Sequence, residues 1–348
     1  MKVLIIGYGS IGKLHFGILN SFENINIDLV TKQEVKNIIS FKDLKDIDDL
    51  NVYDYLIIAS ETASHYEQLK YICSKMCNKK ILVEKPLYDK KLEEIKTNNL
   101  VFTAYNLRFH PILQLLKKVL LEKQVYYVNV ICGQYLPTWR PEQDYKKSYS
   151  AAISRGGGVL RDLSHEIDYI NWLFGDIEKI DSINTKVSDL EIQSDDIFTA
   201  VAITKNKVIV NLTIDYISKI PIRRLLIHTK DTTIEADMIE NYIISYNKTG
   251  DKEITELKQI ERNYTYTKMH KAIINNEYND ICNFQEGKQI VDIINEIAPE
   301  HLELNIKNYK NILTKVFNAG SICIGSNSTM AVTDYNVGSN HVLPTFGS

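Results

Sequence analysis

The sequence predicts an α/β protein in two parts. A doubly wound parallel sheet comes first, and an α+β domain on a mostly antiparallel open sheet follows. Three observations predict this. Over residues 1–120, short apolar runs alternate with helical patterns, as in βαβ units. From residue 125, strand-like segments crowd together with short connections, as antiparallel neighbours do. Two glycine-rich turns, at 7–12 and 156–158, each release the chain into a helical pattern.

In the first part, strands are expected over 2–6, 25–30, 54–60, 80–84 and 100–105, with helices over 11–22 and 63–75. In the second, strands are expected over 125–133, 196–204, 207–216, 223–229, 232–238 and 242–246. One helix, over 158–173, interrupts them, and helices over 266–275 and 286–297 follow. The expected units are therefore 1–120, 121–296 and a tail, 297–348, of different character.

The chain has 348 residues, a net charge of −3 and 44% apolar residues. These values fit a soluble protein with well-buried cores. There is no polybasic block to suggest nucleic acid. No apolar run reaches transmembrane length, and the N-terminal run is too short for a signal peptide. A cytoplasmic protein without a membrane or nucleic-acid partner is expected. The five cysteines are scattered, so reduced thiols are expected. Cys73 and Cys77 sit four apart, but no further cysteine pair completes a zinc site.

Gly7-Tyr8-Gly9-Ser10-Ile11-Gly12 is a GxGxxG between a strand and a helix, the dinucleotide signature of a Rossmann domain. Gly7 permits the tight turn, Gly9 admits a pyrophosphate, and Gly12 lets helix and strand pack closely. The helix N-terminus then offers N–H groups to the phosphates. In an NAD site the second strand ends in an acid. Here it ends Val30-Thr31-Lys32, and Asp28 lies too early. A hydroxyl followed by a cation suits the 2′-phosphate of NADP, which is favoured over NAD. A solvated strand-end lysine is the plainer alternative.

The run Gly156-Gly157-Gly158-Val159-Leu160-Arg161-Asp162-Leu163-Ser164-His165-Glu166-Ile167-Asp168 places Asp162, His165 and Asp168 at three-residue steps. On one helix they would share a face, the parts of a general acid–base device. Histidine supplies a base near neutral pH. The plainer alternative is an Asp that caps or salt-bridges the helix and a His satisfied in the core.

Val83-Glu84-Lys85-Pro86-Leu87 follows a strand. With the opening glycines and the 156–168 run, it resembles the glucose–fructose oxidoreductase / inositol dehydrogenase family over about residues 1–295. Gly133-Gln134-Tyr135-Leu136-Pro137, Trp139-Arg140-Pro141, Asp144-Tyr145 and Ser148-Tyr149-Ser150 resemble a branch linked to sugar metabolism. The resemblance implies that Lys85 lies beside the nicotinamide and the reacting hydroxyl, with Lys85–Pro86 cis. It implies that His165 takes the hydroxyl proton, with Asp162 as its family partner. Many members have one more residue between this Asp and His, so either Asp162 or Asp168 could orient His165.

The expected cofactor set is Gly7, Gly9, Ser10, Ile11, Gly12, Thr31, Lys32, Ser60, Glu84 and Lys85. The expected catalytic set is Lys85, Asp162 and His165. Asn106, Arg108 and Tyr149 join Asp162 and His165 as substrate candidates, with Arg140 weaker. For Asn106 and Arg108 the alternative is interdomain salt bridging. The expected activity is hydride transfer between NADP or NAD and a secondary alcohol of a sugar, sugar phosphate or nucleotide sugar. A dinucleotide-binding sensor without turnover is the alternative from another class. A homodimer or homotetramer is expected through the antiparallel sheet, whose strands read apolar on both faces in places.

In the tail, Ile297-Ala298-Pro299-Glu300-His301-Leu302-Glu303-Leu304, Ala319-Gly320-Ser321-Ile322, Thr333-Asp334-Tyr335 and 340–345 resemble histidinol dehydrogenase. The resemblance implies acid–base work for Glu300 and His301, zinc ligation for Asp334 and a substrate border for His341. One carboxylate cannot make a zinc site. The segment is read as a truncated fragment without bound metal, and a histidinol dehydrogenase-related function is the runner-up.

Overall fold

The computed structural model describes residues 1–90, 92–153 and 157–296, and the backbone of two further strands at 301–304 and 321–324. The first sheet contains β1 (Lys2–Ile6), β2 (Asn26–Val30), β3 (Ser40–Phe41), β4 (Tyr55–Ile58), β5 (Lys80–Val83) and β6 (Leu100–Thr103), all parallel. Their spatial order is β6-β5-β4-β1-β2-β3, the doubly wound arrangement. Its strands are apolar almost throughout because both faces are covered. On β1, Leu4 and Ile6 join one core with Leu69 and Ile72 of α2 (His65–Lys75). Val3 and Ile5 join the other with Leu19 of α1 (Ser10–Asn20). The order reverses between β1 and β4, so their carboxyl ends form the crevice where ligands sit in such sheets.

After α3 (Pro111–Leu120) comes the second sheet: β7 (Val125–Gly133), β8 (Ile177–Thr185), β9 (Ile197–Thr204), β10 (Ile209–Asp215), β11 (Ile222–Thr229), β12 (Thr233–Asp237), β13 (Tyr242–Tyr246) and β14 (Lys252–Glu256). Its order is β14-β13-β12-β11-β7-β10-β9-β8, antiparallel except for the β7–β10 pair. Between β7 and β8 lie α4 (Leu136–Trp139), α5 (Val159–Asp162) and α6 (His165–Phe174). One sheet face packs Val128, Val130, Val210, Leu212 and Leu225 against Ile112 and Leu116 of α3 and Ile167 and Ile170 of α6. The other face carries exposed Ile131, Ile183, Val201 and Ile209.

Two expectations need correction. The helix expected over 158–173 is broken: α5 ends at Asp162 and α6 begins at His165, with Leu163 at φ −100°, ψ 29° between them. Asp162 and His165 therefore do not share a continuous helical face. The expected second unit, 121–296, also does not keep to its own sheet. Met269, Ala272 and Ile273 of α7 (Tyr264–Asn275) complete the core on one face of the first sheet. β15 (Cys282–Asn283) then adds antiparallel to β6, and α8 (Phe284–Glu296) follows, its Val291 in the core beside α2. In the tail, β16 (His301–Leu304) pairs in parallel with β17 (Ser321–Ile324). Glu300, Asp334 and His341 lie outside the described residues, as does the side chain of His301.

Candidate active site

At the carboxyl end of β1 the chain turns through Gly7 at φ +96°, a conformation that favours glycine. A Cβ there would sit 2.6 Å from the Ala59 carbonyl oxygen after β4. A Cβ on Gly12 would lie 2.9 Å from the Gly7 carbonyl carbon and nearer still to its oxygen. Gly9 differs, because a Cβ on it would meet nothing within 4 Å. It caps α1, whose first i→i−4 bond is Lys13 N–H to the Gly9 carbonyl at 2.9 Å. The N–H groups of Ser10, Ile11 and Gly12 precede that bond and have no intrahelical acceptor. The open space beside Gly9, faced by these N–H groups, fits a dinucleotide pyrophosphate.

The end of β2 holds no free acid. Asp28 is buried and binds Lys2 Nζ at 3.1 Å and the Tyr53 hydroxyl at 2.7 Å. Thr31 is buried, and its Oγ1 accepts the Gln33 N–H at 3.1 Å. Lys32 is exposed, and its carbonyl accepts Lys42 Nζ at 3.2 Å, so two lysines border this corner. Ser60 Oγ donates to Gln68 Oε1 at 2.7 Å. Glu84 does not face the crevice. It is buried, and its oxygens lie 3.0 Å from His15 Nε2 and 3.1 Å from the Lys85 N–H. Its place in the expected cofactor set is corrected accordingly, because both oxygens are engaged inside the fold.

Lys85 leaves β5 through a cis Lys85–Pro86 bond. The His65 ring ties this turn to the β4 turn, facing the Pro86 carbonyl at 3.2 Å and the Ser60 carbonyl at 3.2 Å. Burial lowers the pKa of His65. Lys85 Nζ donates to the backbone carbonyl of Asp162 at 2.7 Å. α5 is entered through Gly158 at φ +127°, and the Asp195 carboxylate accepts the Leu160 N–H at 3.1 Å. The Asp162 carboxylate accepts from the Tyr216 hydroxyl at 2.7 Å and from Ser150 Oγ. Burial and the Asp162 charge push the Tyr216 hydroxyl well above its usual range, so it stays a donor. Tyr149 is pushed up to about 12, by burial first and then by Asp162. Lys85 and Asp162 line a cleft of about 250 Å³ with Trp139, Arg140, Tyr145 and Tyr149.

His165 is half-buried, edge-on to the Tyr105 ring at 5.5 Å between centroids. Its Nδ1 is buried with no hydrogen-bond partner among the described residues. Burial, then the Lys85 and Arg223 charges, hold its pKa well below the usual range, which keeps the imidazole neutral and able to accept a proton. Neither candidate Asp is seen holding this ring. Asp162 serves Ser150 and Tyr216, while Asp168 is buried against Arg108 at 2.7 Å.

Arg108 is 1% exposed and also binds Glu286 at 3.1 Å, so it joins α6 to α8. This is the salt-bridge alternative, and it removes Arg108 from the substrate-contacting candidates. Asn106 is buried and donates to Thr265 Oγ1 at 2.6 Å, so it too is engaged within the fold. Ser150 and Tyr216, the partners of Asp162, were not foreseen as site residues.

Among the described residues no group of three or more His, Cys, Asp or Glu side chains could hold a metal ion, and no helix is long and apolar enough to cross a membrane.

The family model for the NAD-binding Rossmann fold of an oxidoreductase family matches residues 1–110, and the GFO/IDH/MocA C-terminal domain matches 121–235. Among solved structures, UDP-N-acetylglucosamine 3-dehydrogenase from Acidithiobacillus ferrooxidans is similar at a TM-score of 0.68 and 16% identity. The similarity covers 84% of this chain and 95% of that one. Levoglucosan dehydrogenase in complex with NADH is similar at 0.70 and 17% identity, with the same coverages. At these identities the likeness is one of fold.

The histidinol dehydrogenase model matches residues 239–348. Histidinol dehydrogenase of Pelagibacter ubique is 64% identical over 61 residues, which are 18% of this chain and 14% of that enzyme. That of Caldanaerobacter subterraneus is 40% identical over 104 residues, 29% of this chain and 24% of the enzyme. The chain thus spans less than a quarter of either relative. The model match begins well before residue 297, yet β13, β14, α7, β15 and α8 are built into the two sheets and their cores. The chain belongs, over residues 1–110 and 121–235, to the GFO/IDH/MocA family of NAD-binding oxidoreductases, and a histidinol dehydrogenase-like segment is joined to its end.

Proposed function

We propose that this protein is a dehydrogenase that moves hydride between a nicotinamide cofactor and a secondary alcohol of a sugar, sugar phosphate or nucleotide sugar. The supporting observation is the grouping of Lys85 and Asp162 on one cleft, with His165 within reach of the Lys85 charge, its pKa lowered and its Nδ1 without a hydrogen-bond partner among the described residues. When bound, the nicotinamide supplies the hydride acceptor or donor. The chain's residues do the rest. His165 takes the hydroxyl proton during oxidation and returns it during reduction. The Lys85 ammonium, oriented by the Asp162 carbonyl, stabilises negative charge on the reacting oxygen. Asp162 acts as an acceptor held by Ser150 and Tyr216. Trp139, Tyr145 and Tyr149 offer aromatic walls to a sugar ring, and exposed Arg140 suits an anionic substituent.

NADP is favoured over NAD, supported by exposed Lys32 beside Lys42 where an acid would otherwise bind the ribose. Fluorescence titration with NADPH and NADH tests the preference, which Lys32→Glu should reverse. Tighter NADH binding by the wild type would overturn it. A panel of sugars, sugar phosphates and nucleotide sugars, with histidinol included, tests the activity. Turnover of histidinol alone would transfer the function to the tail.

The outer face of the second sheet supports a homodimer or homotetramer. Ile183 and Val201 are 62% and 57% exposed there, and such an apolar face marks an interface.

A further inference from the structure

Behind the cleft runs a file of buried polar side chains for which the proposed chemistry gives no role. Tyr55 on β4, His270 on α7 and His15 on α1 are each 0% exposed, and Glu84 after β5 is 6% exposed. The Tyr55 hydroxyl lies 3.1 Å from His270 Nδ1, and His270 Nε2 lies 2.8 Å from His15 Nδ1. His15 Nε2 lies 3.0 Å from Glu84 Oε1, and Glu84 Oε2 accepts the Lys85 N–H at 3.1 Å. The file therefore runs along the sheet face that α1 and α7 cover and ends on the backbone of the residue that the proposed chemistry places at the reacting oxygen.

The proton positions follow from one end. Glu84 Oε2 accepts the Lys85 N–H, Oε1 lies 3.0 Å from His15 Nε2, and the Tyr266 hydroxyl interacts with the same carboxyl group. A Glu84 carboxylate can only accept. Facing a carboxylate, a neutral His15 carries its proton on Nε2 and leaves Nδ1 as an acceptor. His270 must donate from Nε2 and accept at Nδ1, so Tyr55 donates its hydroxyl proton. In this arrangement every ring nitrogen and the Tyr55 hydroxyl have a partner. Burial and the neighbouring His15 lower the pKa of His270, in agreement with a neutral ring. The groups facing His15 are Glu84, His270 and the edge of Tyr266, at 5.5 Å between centroids. A chain satisfied in one direction is stiff, and its members polarise one another.

We propose that Tyr55, His270 and His15 are positioning residues, a one-way hydrogen-bond chain that holds the Glu84 carboxyl group in place and so fixes the Lys85 turn from behind. The proposal rests on the reading of Lys85 as a working residue of the cleft. It also gives α7, which arrives after the second sheet, a task in the first domain's site.

The test begins with the full-length wild type labelled with ¹⁵N-histidine. Long-range ¹H–¹⁵N spectra at neutral pH should assign Nε2–H tautomers to His15 and His270. An Nδ1–H tautomer or an imidazolium at either would overturn the proposal. The second arm compares His270→Gln with His270→Leu. A glutamine amide donates to His15 and its carbonyl accepts from Tyr55, whereas leucine leaves both unpaired. The readout is acetylation of Lys85 by acetic anhydride, quantified against Lys32 in the same sample. His270→Leu should change that ratio, and His270→Gln should restore it. Equal ratios in all three proteins would overturn the proposal. Should Lys85 respond as expected while no sugar in the panel is oxidised, the assigned activity fails and the chain stands.

Discussion

Two glycines of one turn, three residues apart, should fail in opposite ways, and Gly9→Ala against Gly12→Ala separates cofactor binding from folding. At Gly12 the added methyl would lie 2.9 Å from the Gly7 carbonyl carbon, against backbone. Ordinary carbon contacts are about 3.5–4.0 Å, so the helix and turn must part by several tenths of an ångström or more. Such overpacking costs about 1–3 kcal/mol. At about 2–4 °C per kcal/mol for domains of this size, Tm should fall by roughly 2–12 °C. At Gly9 the methyl meets no protein atom, and φ of −75° suits any residue. The fold should therefore hold, with Tm within about 4 °C of wild type, since a helix N-cap change is worth about 1 kcal/mol. The methyl does enter the space assigned to the pyrophosphate. Affinity for NADPH should fall at least about tenfold, or about 1.4 kcal/mol. Calorimetric scans and fluorescence titrations read the two effects. A Gly9→Ala protein that binds NADPH like the wild type would refute the placement of the pyrophosphate.

Three further outcomes follow from the site and its supports. Because burial, Lys85 and Arg223 lower the His165 pKa, its basic form persists into mild acid, and kcat/KM for sugar oxidation should stay level down to pH values below the usual histidine value of about 6.5; a fall beginning above that value would contradict the assignment. Arg108→Met leaves the 1%-exposed Asp168 charged and unpaired, which should cost about 3–5 kcal/mol and lower Tm by roughly 10 °C; an unchanged Tm in calorimetry would show that the pair carries little. Val201→Lys on the open sheet face should turn the expected oligomer into a monomer by light scattering without loss of Tm, and an unaltered mass would move the interface elsewhere.

Much of the first sheet was legible because strands buried on both faces read as unbroken apolar runs, as in Leu4-Ile5-Ile6 and Leu56-Ile57-Ile58. β7 and β13 fell at the expected residues. β3 and β15 were not foreseen, since a two-residue strand carries no periodicity. β8 was missed because its apolar residues fall at every third position on a largely exposed edge. The break between α5 and α6 has no Gly or Pro at Leu163-Ser164 to announce it. In the site, Lys85, Asp162 and His165 were marked by short motifs. Their surroundings were not, because those come from distant sequence: Tyr216 is 54 residues from Asp162, and His270 is 255 from His15. The same distance hid the role of Glu84, which motif order placed at the cofactor and which packing turns inward.

The central claim is that hydride passes between a sugar carbon and the nicotinamide, with the sugar hydroxyl proton taken by His165. The measurement that tests it most directly is isotope transfer. The sugar oxidised fastest in the panel is prepared with deuterium on its carbinol carbons and incubated with the wild type and NADP⁺, and the reduced cofactor is isolated for mass spectrometry. One deuterium per reduced nicotinamide is predicted for the wild type. His165→Ala should form the same labelled product about 10²–10⁴ times more slowly, with NADPH affinity unchanged. Reduced cofactor without deuterium, or a His165→Ala protein as fast as the wild type, would contradict the account.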